Sequence, residues 1–166
     1  MKKRRLIKGL LILMAFASAL VFTGCGAGRT IVMRPPETVF SAKSVEIMEE
    51  TPTIKVPEKA RRYFKEKLES FIFEEGGLEK GPRLRVSYRF IQFNPGSQLT
   101  RWFWGGIGNA GEGSVTVEAK YYDGEREISS IQVEGKIQSG AFGGDFEFAI
   151  EKAAREIANY TVENFK

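Results

Sequence analysis

Few residues in this chain have types and spacings that could do chemistry. Its 166 residues include no histidine and one cysteine, Cys25. Without histidine there is no Ser-His or Cys-His nucleophile pair, and the common His-ligated metal sites are excluded. A single cysteine allows neither an internal disulfide nor a Cys-based zinc cluster. Serine, threonine and lysine remain as nucleophiles, yet the chain contains no S-x-x-K and no G-x-S-x-G. Carboxylates such as Glu112, Asp123 and Asp145 are the residues that would have to pair for glycoside hydrolysis. Asp123 is better explained by the Asp123-Gly124 turn, and Asp145 by its place as the N-cap of a helix. These residues predict a protein that is not an enzyme and holds no metal and no cofactor.

The segment from Asn94 to Gly113 is the most unusual. Both tryptophans of the chain lie in it, as Arg101-Trp102-Phe103-Trp104, among closely spaced glycines. Gly106 to Gly111 fits G-x-G-x-x-G, but that pattern cradles a dinucleotide only where it opens a helix, and here it leads into a strand. The aromatic triplet has two readings. It packs as local core under a loop whose glycines permit close approach, or it is an exposed contact surface. Tryptophan and arginine are enriched where proteins meet, and tryptophan also favours bilayer interfaces. Arg101, Trp102, Phe103 and Trp104 are therefore the candidate interaction loop. A second cluster, Arg83, Arg85 and Arg89, forms a basic stripe. It reads as a solvated strand face balanced by acids such as Glu118 or Glu134 on neighbouring strands, with contact to anionic lipid or polymer as the minor alternative.

The start of the chain has its own logic. Met1-Lys2-Lys3-Arg4-Arg5 precedes an uncharged apolar run, Gly9 to Phe22, 14 residues long. A membrane-spanning helix needs about 20. A basic start, a short apolar run and then small residues is the pattern of a secretion signal. The end of the run, Phe22-Thr23-Gly24-Cys25, resembles the lipobox of bacterial lipoproteins. That resemblance implies cleavage between Gly24 and Cys25 and lipid attachment at Cys25, with Phe22 departing from the commoner leucine. Two or three acyl chains would hold the protein permanently on its bilayer. Ala27 stands where lipoproteins kept in the inner membrane often carry Asp, which implies outer-membrane sorting, facing the periplasm, in a Gram-negative host. Cleavage also removes Lys2, Lys3, Arg4, Arg5 and Lys8, so the 25 basic residues fall to 20 against 21 acidic ones. The net charge of +4 is thus a property of the precursor, and the basic balance that would argue for a nucleic-acid partner disappears.

The elements that must carry these groups follow from periodicity. Residues 25–36, closed by Pro35-Pro36, read as a lipidated tether, with the packing of Ile31-Val32-Met33 on the domain as the alternative. Thr38 to Glu49 reads as a first strand. Ala60, Phe64, Leu68 and Phe71 recur at helical spacing after Pro57, with Glu58–Arg62 as an i,i+4 pair, and Gly76-Gly77 ends that helix. Leu84, Val86, Tyr88 and Phe90 alternate with Arg83, Arg85, Ser87 and Arg89 in a half-buried strand, and the parity change at Ile91 predicts a bulge or a second covered face. Val115, Val117, Ala119 and Tyr121 mark the next strand, and a return strand runs from Arg126 to Gln138, with a bulge expected near Ser129-Ser130. Phe146, Ile150, Ala153, Ile157 and Tyr160 stripe a final helix whose Glu151–Arg155 reads as a solvent pair. The order β-α-β-β-β-α predicts an α+β fold, a two-layer sandwich with a mainly antiparallel sheet packed against two helices, preceded by a cleaved signal peptide (residues 1–24), with one domain over 37–166.

The run from Arg83 to the C-terminus resembles the lipoprotein-associated family catalogued as domain of unknown function 4410. The shared features are Phe93-Asn94-Pro95-Gly96-Ser97, then Arg101, the glycines leading into Ser114-Val115-Thr116-Val117, the Tyr122-Asp123-Gly124 turn, the Gly140 to Asp145 cluster and an Ala-rich last helix. The resemblance implies an envelope lipoprotein and carries over no catalytic residue. The expectation is a protein held in the membrane through lipid on Cys25, acting as a non-catalytic partner-binding or structural module with an envelope protein partner. A domain that binds a small ligand or lipid between sheet and helices is the alternative.

Overall fold

The computed structural model describes residues 27–36, 40–95, 113–136 and 146–166. In chain order the elements are β1 (Ala27–Arg34), β2 (Ser44–Glu49), α1 (Glu58–Glu69) continuing as a π-helical stretch (Ser70–Glu75), β3 (Glu79–Lys80), β4 (Leu84–Asn94), β5 (Ser114–Asp123), β6 (Arg126–Lys136) and α2 (Phe146–Phe165). The six strands form one sheet in the order β1-β6-β5-β4-β2-β3. β4, β5 and β6 are the expected antiparallel meander, and β1 joins it antiparallel to β6. β2 lies parallel to β4, reached through α1.

The alternating residues do what their spacing requires. Leu84, Val86, Tyr88 and Phe90 of β4 and Val115, Val117, Ala119 and Tyr121 of β5 are all buried on one face. Both helices cover that face. Phe64 of α1 sits 4.9 Å from Tyr88 and 5.1 Å from Phe90 between ring centroids, and Tyr121 packs on Tyr160 and Phe165 of α2. Fully burying a side chain such as Phe64 contributes about 1.5–3 kcal/mol. α2 comes closest at Gly135, where a Cβ would lie 2.0 Å from the Ala149 carbonyl oxygen, so only glycine lets the helix seat there.

The breaks in alternation are bulges. The β4–β5 register slips between Phe90 and Gln92, as the parity change at Ile91 predicts. In β6 the extra residue is Ile128, next to the expected Ser129-Ser130. α1 starts at Glu58, one residue after Pro57, and the helical path runs on to Glu75, where Gly77 turns the chain away at φ +65°.

Two expectations are corrected. Residues 27–34, part of the segment read as a tether, are an edge strand, so the fold begins at residue 27 and not at 37. This segment lacks alternation because an edge strand is held on one side by β6 and packs only lightly on α2, where Thr30 donates to Glu156 at 2.8 Å. The first strand expected over Thr38–Glu49 is confined to Ser44–Glu49, with residues 37–39 outside the described residues. With the two-residue β3, the order is β-β-α-β-β-β-β-α. Residues 1–24, expected to be a cleaved leader, and the expected end of the return strand at Gln138 lie outside the described residues.

Candidate functional site

Cys25, Gly24, Arg101, Trp102, Phe103 and Trp104 all lie outside the described residues, as do Glu112 and Asp145. Their attachment points do not. Ala27, two residues after Cys25, pairs with Lys136; Lys136 pairs with Ser114; Ser114 pairs with Asn94. This single cross-strand row spans three strand intervals, about 14 Å. The loop 96–112 leaves from Asn94-Pro95 and returns to Gly113-Ser114, so it is rooted at the end of the sheet where the chain enters from Cys25. The glycine-rich segment 137–145 joins Lys136 to Phe146 at the same end. Phe93 packs edge-on against Phe146 there, with centroids 5.0 Å apart.

The basic stripe is neutralised in place. Arg83 reaches Asp123 at 2.8 Å, Arg89 pairs with Glu118, Arg85 stands 3.9 Å from Glu125, and Lys136 takes Glu134 at 3.0 Å. Arg85 also lies over the Tyr122 ring and Arg83 over Phe40. Asp123 therefore serves the stripe as well as its turn, and the arginines on the sheet face away from the helices are charge-balanced, beside Ser87, Thr116 and Ser130, which are buried.

The two expected i,i+4 pairs, Glu58–Arg62 and Glu151–Arg155, give way to other partners, two of the new pairs crossing between the helices. Glu151 takes Lys67 of α1 at 3.1 Å, Arg155 forks onto Glu75 at 2.8 and 3.3 Å, and Arg62 turns to Glu66 instead of Glu58. A reading of each helix in isolation could not find partners that exist only once the helices lie side by side. The Glu75 carboxyl is held below its usual value by the Arg155 hydrogen bond, and Lys67 is raised by Glu151. Tyr63 is raised, mainly by its burial.

Two separate hydroxyl pairs are buried between α2 and the sheet. Ser129 donates to the Arg34 carbonyl at 2.8 Å and accepts from Tyr160 at 2.8 Å, and Thr161 stands 3.3 Å from the Tyr121 hydroxyl. Burial pushes the Tyr121 and Tyr88 phenols up, so neither is a ready base at neutral pH. No cluster of three metal-ligating side chains occurs among the described residues, and no described helix is long and apolar enough to cross a membrane.

Exposed apolar groups are concentrated. The large exposed hydrophobics among the described residues are Ile31, Val32 and Met33 on β1, Met48 on β2 and Phe148 in the first turn of α2. Beside β2, where β3 stops, a groove of about 400 Å³ is lined by Val45, Ile47, Phe73, Glu46, Glu69 and Lys80 among others. Sequence reasoning offered packing of Ile31-Val32-Met33 on the domain as an alternative but did not identify a strand there, and it did not single out the β2 edge. The available signal was the β-branched run Thr30-Ile31-Val32 in a segment expected to be solvated.

No protein-family model matches the chain, and no curated protein matches it in sequence. Among solved structures it is similar to the PelC dodecamer from Paraburkholderia phytofirmans, with 11% identity and a TM-score of 0.53 over 85% of this chain and 99% of that one. A single-substitution variant of that dodecamer in another crystal form gives 12% identity and a TM-score of 0.52, covering 85% of this chain and 98% of that one. At such identity the likeness is one of fold.

Proposed function

We propose that this chain is an envelope lipoprotein anchored through lipid on Cys25, most simply on the periplasmic side of an outer membrane, and that its domain is a non-catalytic structural module that assembles with other copies of itself. The observation that carries this reading is the row Ala27–Lys136–Ser114–Asn94. Only Gly26 separates Cys25 from Ala27, the first residue of the sheet, a reach of about 7 Å. A lipid at Cys25 would therefore bring this end of the sheet to the bilayer surface, with the roots of the Arg101-Trp102-Phe103-Trp104 loop beside it. Tryptophan belongs at such an interface. The occurrence of a similar fold in a dodecamer supports self-assembly, and the neutralised arginine stripe argues against a polyanion as the main partner.

A ligand between sheet and helices finds less support. The interlayer space is filled by Phe64, Tyr88, Phe90, Tyr121, Ile131 and Ile157, each no more than 1% exposed, and the groove lies at the sheet edge.

The test is made on the full chain in a bacterial host. Palmitate label should enter the wild type and be lost, with release to the soluble fraction, in Cys25→Ala. Detergent-extracted wild type should scatter light as a multiple of the chain mass. A bare thiol at Cys25 would remove the anchor, and a monomer at all concentrations would remove the assembly. Trp102→Ala with Trp104→Ala should leave the melting temperature in place while weakening membrane or partner crosslinks.

A further inference from the structure

The exposed apolar residues of the described sheet lie on its two edges, and the two edges match each other. From this we infer that β1 of one copy adds to the open edge of β2 in the next, continuing the sheet from molecule to molecule. The inference rests on the self-assembly proposed above and names the surfaces that perform it.

Backbone parity makes the pairing possible. The Glu79 and Gly81 N–H groups donate to the Lys43 and Val45 carbonyls, so odd-numbered residues of β2 point their backbone groups outward, and those of Ile47 and Glu49 continue past the end of β3. The Tyr88 carbonyl accepts from Glu50, which turns the even residues of β4 toward β2. Alternation carried through β5 and β6 in their observed registers turns Arg29 and Ile31 toward β6 and leaves the backbone groups of Thr30 and Val32 at the open edge. Thr30 and Val32 can thus exchange hydrogen bonds with Glu49 and Ile47.

Side chains select the same register. Thr30 contacts α2 through Glu156, so Thr30 and Val32 belong to the helix-covered face, as Val45 and Ile47 do. With Val32 opposite Ile47, Ile31 (39% exposed) falls opposite Met48 (47% exposed) on the wet face. Arg29 then falls opposite Glu50, an opposite-charge cross-strand pair. The bulge at Met33 ends the regular edge just beyond this stretch.

Direction agrees as well. β1 runs opposite to β2 within the sheet, so a copy related by rotation about an axis along the strands presents β1 antiparallel to β2, and every Ala27 stays at the same end. A head-to-tail contact of this kind closes a ring or continues as a filament. An antiparallel β1–β1 two-fold would send the two Cys25 anchors to opposite ends of the strands, and the single intervening residue Gly26 cannot bring both to one bilayer. The contact is short, but copies held on one membrane meet at raised effective concentration.

The experiment introduces Val32→Cys and Ile47→Cys together in the full, membrane-anchored chain, where the Cys25 sulfur is already in thioether linkage. Within one molecule the two positions are four strand intervals apart, about 19 Å, too far for a disulfide. Mild oxidation should give a ladder of multimers that collapses on reduction, and neither single variant should give one. Ile31→Lys, at an exposed position, should leave the melting temperature unchanged and raise the half-assembly concentration several-fold, because it removes the apolar Ile31–Met48 cross-strand contact. A disulfide dimer from Val32→Cys alone would replace this contact by a two-fold one. An assembly with no ladder would overturn the edge pairing while leaving self-assembly standing, whereas a monomeric wild type would overturn both.

Discussion

Gly135→Ala should be among the most damaging single-methyl additions this fold can receive. Gly135 lies in β6 directly under α2, and the added Cβ would meet the Ala149 carbonyl oxygen at 2.0 Å, its carbon at 2.9 Å and the Ala153 nitrogen at 3.2 Å. A carbon–oxygen contact relaxes only near about 3.3 Å, so the helix must lift by roughly 1.3 Å. The obstacle is helix backbone, which has no rotamer to yield. Lifting loosens Phe146, Ala149, Ile150 and Ala153, all at most 1% exposed. Overpacking typically costs about 1–3 kcal/mol, and this case belongs at the upper end or beyond. Near 3 kcal/mol, the melting temperature of a chain this size falls by roughly 10 °C. Gly28→Ala is the milder comparison, since its nearest contacts would be with the Glu156 side chain, Oε1 at 2.6 Å and Cδ and Cγ at 3.0 Å, which can swing away at the cost of its hydrogen bond from Thr30. Thermal melts followed by circular dichroism on the detergent-purified protein compare the two. Alanine restricts the unfolded chain and by itself stabilises by about 0.4–1 kcal/mol. If Gly135→Ala melts at or above the wild type, or Gly28→Ala is the worse of the pair, the seating of α2 on β6 described here is wrong.

Three further outcomes follow from the same geometry. Ser129→Ala strands the Arg34 carbonyl and the Tyr160 hydroxyl, which should cost about 1–3 kcal/mol and raise amide exchange in β1 before other strands. Glu75, held low by Arg155, contributes stability that is complete above the ordinary carboxylate value and is lost as pH falls through the lowered one; an NMR titration of Arg155→Leu should return Glu75 upward. Inserting about ten Gly/Ser residues between Gly26 and Ala27 should relieve quenching of the two tryptophans by brominated lipids while Cys25 stays labelled; unchanged quenching would detach the loop from the anchor geometry.

What was legible from the residues was whatever burial imprints. Leu84 to Phe90, Val115 to Tyr121 and the Phe64–Leu68 stripe are covered on one face, and their apolar spacing records it. The edge strand β1 was legible only as an alternative, the packing of Ile31-Val32-Met33 on the domain, because its partner is backbone and backbone pairing leaves no side-chain pattern to decide it. The helix-to-helix pairs Glu151–Lys67 and Arg155–Glu75 were hidden for a related reason: i,i+4 spacing is visible within one helix, while spacing across two helices exists only after packing. The Arg83, Arg85 and Arg89 stripe was read as balanced, and the acids opposite it are there, Glu118 among those expected.

The distribution of exposed apolar surface leaves few directions open for assembly. The sheet face away from the helices is covered by paired arginines, lysines and glutamates, and charges on that scale are depleted from the cores of protein contacts. The helix layer is likewise ringed by Lys67–Glu151, Arg155–Glu75 and Arg62–Glu66. Face-to-face stacking of copies would have to desolvate these pairs, which costs more than their attraction returns unless every partner is met again. Among the described residues, what remains is lateral and terminal: Ile31, Val32, Met33 and Met48 on the two edges, and Phe148 in the first turn of α2, near the end where Ala27 enters. Phe148 keeps the Lys152 ammonium over its ring at 5.3 Å, an apolar body with a charged collar of the kind that sits at a water–lipid boundary. The proposed pairing of edges and the proposed approach of this end to a bilayer are two kinds of contact such a surface can make together without burying an uncompensated charge.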